Sequence, residues 1–143
     1  MKKFYSFENS GMYAPNVRWM SWNFCKKMLE KIDDFHIVPS TDSVIWSLRK
    51  EIAFEIGQID LEKNKWGWGI EVLASYYCNL KNKLVVRDYN VVCKHKKETL
   101  YGRSEAESQQ KEWFNSFNFS DDLWKHYYSR YDYGFDRSGI LMS

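Results

Sequence analysis

Cys93 and His95 stand two residues apart beside a run of lysines. Neighbouring positive charge lowers the pKa of a thiol, and a nearby histidine can act as its base, so the pair could supply a cysteine nucleophile. No third residue that would orient the histidine can be named. A buried cysteine next to a solvated run of lysines is therefore the favoured interpretation.

Paired carboxylates occur at Asp33-Asp34, at Asp121-Asp122, and at Glu51 with Glu55 one helical turn later. General acid-base catalysis needs two acids that face each other across a cleft in different environments. Adjacent acids point in different directions, and a negative charge in the first turn of a helix stabilises that helix. We interpret these acids as residues that begin or end helices.

The histidines, His36, His95 and His126, lie far apart in the sequence and match no zinc-binding spacing. The Trp-Gly-Trp-Gly segment at 66–69 lacks the lysine and Ser/Thr of a P-loop and the third glycine of a dinucleotide fingerprint. No metal, no cofactor and no enzymatic activity are therefore expected.

The net charge is only +2, but between Lys81 and Arg103 there are seven basic residues and two acidic ones. Aromatic residues alternate with these lysines, a composition used by proteins that bind single-stranded nucleic acids. The alternative function is thus nucleic-acid binding, and the residues that would carry it are Lys94, Lys96, Lys97 and Arg103. No known nucleic-acid-binding module is present, which makes a solvated basic face the simpler interpretation.

Length and composition predict a single globular domain over residues 1–143. The three cysteines are odd in number and widely spaced, as is typical of reduced thiols, so a cytoplasmic location is expected. No apolar stretch is long enough for a transmembrane helix.

Only seven glycines and two prolines are present, which favours helices over a fold with many tight turns. The expected fold is mostly α, a compact helical bundle with a small β element around 84–93. The alternative is an α+β fold with a small antiparallel sheet from 66–93. Apolar spacing and capping residues predict helices over 16–32, 45–59 and 70–80, and two more that begin near Ser104 and Ser120.

The segment from Trp113 to Arg137 contains ten of the chain's 26 aromatic residues in 25 positions. Part of it should anchor the last helices to the core, and we assign Phe114, Phe117, Trp124 and Tyr128 to that part. The remainder combines Tyr, Asp and Arg next to Gly, a composition typical of protein-binding surfaces. The predicted protein-binding residues are Tyr127, Tyr131, Asp132, Tyr133, Phe135 and Asp136.

In its single-domain length, its lack of a catalytic motif and its Trp- and Tyr-rich segment from Trp113 to Arg137, the chain resembles the small cytosolic immunity proteins of contact-dependent growth inhibition and other polymorphic toxin systems. The resemblance implies a non-enzymatic protein that binds and neutralises one cognate toxin, its protein partner. From charge and hydropathy, neither nucleic acid nor a membrane is the expected partner. It assigns no role to an individual residue. The mildly basic charge differs from that of acidic immunity proteins that mimic nucleic acid.

Overall fold

The structure, a computed structural model, describes residues 8–18, 28–42, 44–95 and 101–130. These residues form an α+β fold, so the prediction of a mostly helical bundle is wrong. The described strands are β1 (Ser10–Arg18), β2 (Glu30–Ile32), β3 (Phe35–Ile37), β4 (Ser47–Leu48) and β5 (Leu84–Lys94). The described helices are α1 (Lys50–Gly57), α2 (Ile70–Leu80), α3 (Arg103–Asn115) and α4 (Ser120–Ser129).

The described strands form one mixed sheet in the order β2-β3-β5-β1-β4. At its centre β1 and β5 run parallel, and the β2-β3 hairpin and β4 add antiparallel strands at the two sides. The alternative prediction therefore names the right class, α+β, but its sheet is wrong, because the sheet extends well beyond residues 66–93 and is not purely antiparallel.

The predicted helix over 16–32 is wrong at both ends, because residues up to Arg18 belong to β1 and β2 begins at Glu30. The small number of glycines favoured a helical fold, and this inference failed for a physical reason. Parallel strands are joined by long crossovers and need no tight turn, and two turns use residues other than glycine: Asp33 and Asn82 each adopt a φ of +52°. Asp and Asn tolerate this left-handed conformation better than most residues.

Helix α2 is the central element of the packing. The prediction of a helix over 70–80 is confirmed. Towards the sheet, Ala74 and Cys78 pack in a cluster with Met12 and Val85. Towards the helical layer, Leu73 packs with aromatic residues of α3 and α4. Being buried on both sides explains the apolar composition of α2, and it places the side chains of α2 between the sheet and the last two helices.

Two ion pairs fix α1 against the turn between α2 and β5. Lys81 Nζ lies 2.8 Å from Glu55 Oε1, and Lys83 Nζ lies 3.6 Å from Glu51 Oε1. Glu51 and Glu55, spaced i, i+4 on α1, thus each pair with a lysine outside α1 and not with each other. None of the helices in the described ranges is long and apolar enough to cross a membrane.

Candidate functional site

Three aromatic residues of α4 form a surface that we call the aromatic surface: Trp124, Tyr127 and Tyr128. The ring of Trp124 stacks on Tyr128 with centroids 5.8 Å apart and meets Tyr127 edge to face at 5.4 Å. Tyr128 is 42% exposed, and the other two rings are partly buried. Such contacts restrict the rings to one arrangement before any partner arrives.

Further contacts hold the aromatic surface from below and from the side. Trp124 and Tyr127 both pack edge to face on the fully buried ring of Phe114. The indole Nε1–H of Trp124 donates to Asn115 Oδ1 at 2.8 Å, and the guanidinium of Arg130 lies 4.4 Å from the centre of the Tyr127 ring. The surface is thus connected rigidly to the core through α3.

Only one of the predicted protein-binding residues, Tyr127, falls in the described part of the chain, where it is partly exposed. The others lie outside the described residues: Tyr131, Asp132, Tyr133, Phe135 and Asp136. Among the residues predicted to be core, Phe114 is buried. Tyr128 is exposed, so its assignment to the core is wrong. Helix α4 is short and ends near the surface, so Tyr128 has core on one side only.

A row of polar side chains, which we call the polar seam, lies between α2 and α4. It consists of Glu71, Ser75, Asn79, His126 and Arg130. Glu71, Ser75 and Asn79 recur at a spacing of four on α2 and so lie on one face of that helix. His126 and Arg130, also four apart, face them from the end of α4. Ser75 Oγ lies 2.9 Å from His126 Nε2, and the charge of Arg130 acts on the carboxyl of Glu71.

The contact between Ser75 and His126 has the wrong polarity for a nucleophile and its base. Ser75 donates its hydroxyl proton to Val72 O at 2.8 Å, so His126 Nε2–H must donate to Oγ, and Nδ1 is the acceptor 3.5 Å from Asn79 Nδ2. Burial, followed by the charge of Arg130, lowers the pKa of His126 to about 4, which keeps the ring neutral at pH 7. Catalysis would require Oγ to donate to a basic nitrogen. The pair instead joins α2 to α4.

The carboxyl of Glu71 is strongly perturbed by its surroundings. Its Oε2 atom is buried and has no hydrogen-bond partner among the described residues. Burial, and then the charge of Asp42, raise the pKa of Glu71 to about 7, although Arg130 and the backbone N–H groups of Glu71 and Gly69 act in the opposite direction. A carboxyl that titrates near neutrality in a packed polar environment is a feature common at functional sites.

The other residues considered for catalysis or metal binding do not form a site in the described part of the chain. Cys93 is partly buried near the end of β5 and His95 is exposed. Asp33 lies in the turn of the β2-β3 hairpin, and Asp121 and Asp122 are in the first turn of α4, as acids that begin helices do. Across the residues that the structure describes, no group of three His, Cys, Asp or Glu side chains could hold a metal ion.

The basic residues of the alternative function are similarly dispersed. Lys94 is exposed at the end of β5, whereas Arg103 begins α3 and its Nε donates to Glu107 Oε1 at 2.8 Å. Lys96 and Lys97 lie outside the described residues. Within the same basic stretch, Lys81 and Lys83 are in ion pairs and Arg87 is fully buried, so the positive field is weaker than the sequence indicates.

A second group of aromatic residues comes from the Trp-Gly-Trp-Gly segment. Trp66 is 40% exposed and stacks on Tyr101 with centroids 4.6 Å apart. Trp68 Nε1–H donates to the hydroxyl of Tyr101 at 2.7 Å. These contacts attach the loop before α2 to Tyr101, two residues before α3 begins, and this role is structural.

Sequence reasoning missed the polar seam. A signal was present, because Glu71, Ser75 and Asn79 are polar residues at helical spacing in a segment that is otherwise apolar. The partner histidine is 51 residues from Ser75, a separation that no local pattern covers. No protein family, no curated protein and no solved structure matches this chain.

Proposed function

We propose that this chain is a non-enzymatic protein-binding protein, an immunity protein that binds and neutralises a cognate bacterial toxin. The observation that carries the proposal is the aromatic surface of α4. Residues that dominate protein interfaces are most often Trp, Tyr and Arg in a well-packed setting, and rings that are already fixed lose little entropy when a partner binds. Trp124, Tyr127 and Tyr128 have that composition, and the buried guanidinium of Arg130 against the Tyr127 ring adds to their rigidity.

The polar seam supports a binding role over a catalytic one. The Ser75 hydroxyl is buried and donates its proton to Val72 O, and the adjacent His126 remains neutral down to about pH 4. The remaining predicted contact residues, from Tyr131 to Asp136, directly follow Arg130 in the sequence. They would extend the aromatic surface and remain a prediction.

Replacing Trp124 and Tyr128 together with Ala should abolish protection against the toxin. Truncating a central aromatic residue of an interface costs about 2 kcal/mol or more, equivalent to a weakening of about 30-fold in Kd. Cells that produce the toxin together with the wild-type chain should grow, and cells with the double variant should not. Titration of the purified toxin with each purified variant gives the Kd directly.

The matched control is Phe54→Ala, because Phe54 is 64% exposed but lies on α1, away from the aromatic surface. It should protect as well as the wild type. Equal protection by the double variant and the wild type would refute the assignment of the interface. Loss of protection supports the assignment when the double variant also unfolds at the wild-type temperature.

Salt and lysine substitutions distinguish this function from nucleic-acid binding. A complex held by phosphate contacts weakens steeply as salt is added, whereas an aromatic protein interface changes little. Replacing Lys94, Lys96 and Lys97 with Gln should therefore leave protection intact. Loss of all activity in that triple variant would instead favour the nucleic-acid alternative.

A further inference from the structure

A cavity of about 120 Å³ lies between the sheet and the polar seam. Its sheet side is apolar and includes Ile37, Val38 and Val85. Its helical side is polar and contains Ser75, Asn79, Lys83, His126, Ser129 and Arg130. The cavity is thus amphipathic, with one wall suited to a hydrocarbon body and the opposite wall suited to a polar group.

The charges on the polar wall have one sign. Lys83 and Arg130 are both cationic, His126 is neutral at pH 7, and there is no Asp or Glu among the described residues that line the cavity. Lys83 Nζ donates to Glu8 O at 3.0 Å and forms an ion pair with Glu51 at 3.6 Å, and because an ammonium has three N–H donors, these two contacts leave one for an oxygen of a ligand. An ammonium, a guanidinium and the Asn79 amide can all donate to the oxygens of a carboxylate.

The geometry points to this cavity as a binding site for a small organic anion, a monocarboxylate with a compact apolar body. The carboxylate would contact Lys83 and Arg130, and the body would lie against Val38 and Val85. The cavity lining shares no residue with the aromatic surface, although Arg130 contacts the Tyr127 ring, and the binding site does not depend on the toxin-binding function.

The size of the cavity and a neighbouring groove limit the ligand. A dry protein cavity of about 150 Å³ accepts benzene, so a cavity of about 120 Å³ favours an apolar body smaller than a benzene ring, such as a branched aliphatic group. An open groove of about 420 Å³ on the outer side shares Asn79, His126 and Ser129 with the cavity. These three side chains form the wall that a ligand would pass on its way from solvent.

Isothermal titration of the full chain with isobutyrate tests the site, with isobutyramide as the uncharged ligand of the same shape. One-site binding is expected, with the carboxylate about tenfold tighter than the amide, because hydrogen bonds to charged groups are the stronger ones. Equal affinity for acid and amide would show that the cavity does not recognise an anion, and the absence of isobutyrate binding at millimolar concentration would show that the cavity holds solvent only. Either result would overturn the proposal.

Two variants locate the binding. Lys83→Gln should weaken isobutyrate binding about tenfold, whereas Lys81→Gln, which removes the neighbouring lysine outside the cavity, should leave it unchanged. Leu29 lines the cavity and is 41% exposed, so the larger side chain of Leu29→Trp should occupy space that the ligand needs without disturbing the core. If folded Lys83→Gln and Leu29→Trp both bound isobutyrate like the wild type, the anion would lie elsewhere and the assignment would be wrong.

Discussion

Glu71→Gln is expected to remove a pH dependence of stability worth about 3 kcal/mol. In the folded chain the pKa of Glu71 is raised to about 7, compared with an ordinary value of 4.5, because burial penalises the charged carboxylate. One pKa unit corresponds to about 1.4 kcal/mol. The wild-type protein therefore loses free energy of unfolding as this carboxyl ionises, and a glutamine, which cannot ionise, does not.

The direction follows from the order of the two pKa values of Glu71. A folded-state pKa above the unfolded one gives stability that is complete below pH 4.5 and is lost as the pH rises through about 7. His126 acts in the opposite sense, since its folded pKa of about 4 lies below 6.5 and its contribution is lost as the pH falls through that range. Both proteins retain His126, so the difference between them reports Glu71.

Urea unfolding of the two proteins at several values from about pH 5 to about pH 8 measures the effect. The curves should diverge as the pH rises, with the glutamine variant the more stable at the alkaline end. Glu112→Gln, on the exposed surface of α3, serves as the control and should give a curve parallel to that of the wild type. Parallel curves for Glu71→Gln as well would mean that its carboxyl is accessible to water and titrates normally.

The sequence predicts those elements whose patterns are local. The apolar spacing of α2 locates it within residues 70–80, and the β-branched run after Lys83 leads to β5. Such patterns show which residues prefer a helix or a strand, but they do not show which strands will pair. The parallel pairing of β1 with β5 joins residues more than seventy positions apart, for example Ser10 with Leu84, and it turns a predicted bundle into a sheet with helices.

The candidate site likewise has some features that the sequence shows and others that depend on how the helices pack. The clustering of aromatic residues in α4 is visible in the sequence, and so is the amphipathic character of Tyr. Which ring faces solvent depends on how α4 lies on α3, and this places Tyr128 outside and Tyr127 against Phe114. The pKa of Glu71 likewise depends on its burial in the fold and on the charges of Arg130 and Asp42, which are distant in the sequence, so its rise could not be inferred from its sequence neighbours.

Gly69→Ala is expected to destabilise the protein by about 3 kcal/mol, the sum of backbone strain and a steric conflict. Gly69 precedes α2 with a φ of +85°, a conformation that L side chains rarely adopt. A Cβ atom there would lie 2.7 Å from ring carbons of Phe114 and 2.8 Å from Gln110 Nε2. Phe114 is fully buried beneath the aromatic surface, so its ring has no space to move away.

The same segment provides the control that separates the two causes. Gly67 also has a positive φ, +69°, but nothing lies within 4 Å of a Cβ built on it. Gly67→Ala should therefore cost only the backbone strain, about 1 kcal/mol. Thermal or urea unfolding of both variants measures the difference, and near-ultraviolet circular dichroism should show a change in the packing of aromatic rings for Gly69→Ala alone. Equal losses at the two positions would mean that Phe114 yields to the methyl group. Unequal losses would identify the second glycine of Trp-Gly-Trp-Gly as the residue that lets α3, and with it the support of the aromatic surface, approach the start of α2.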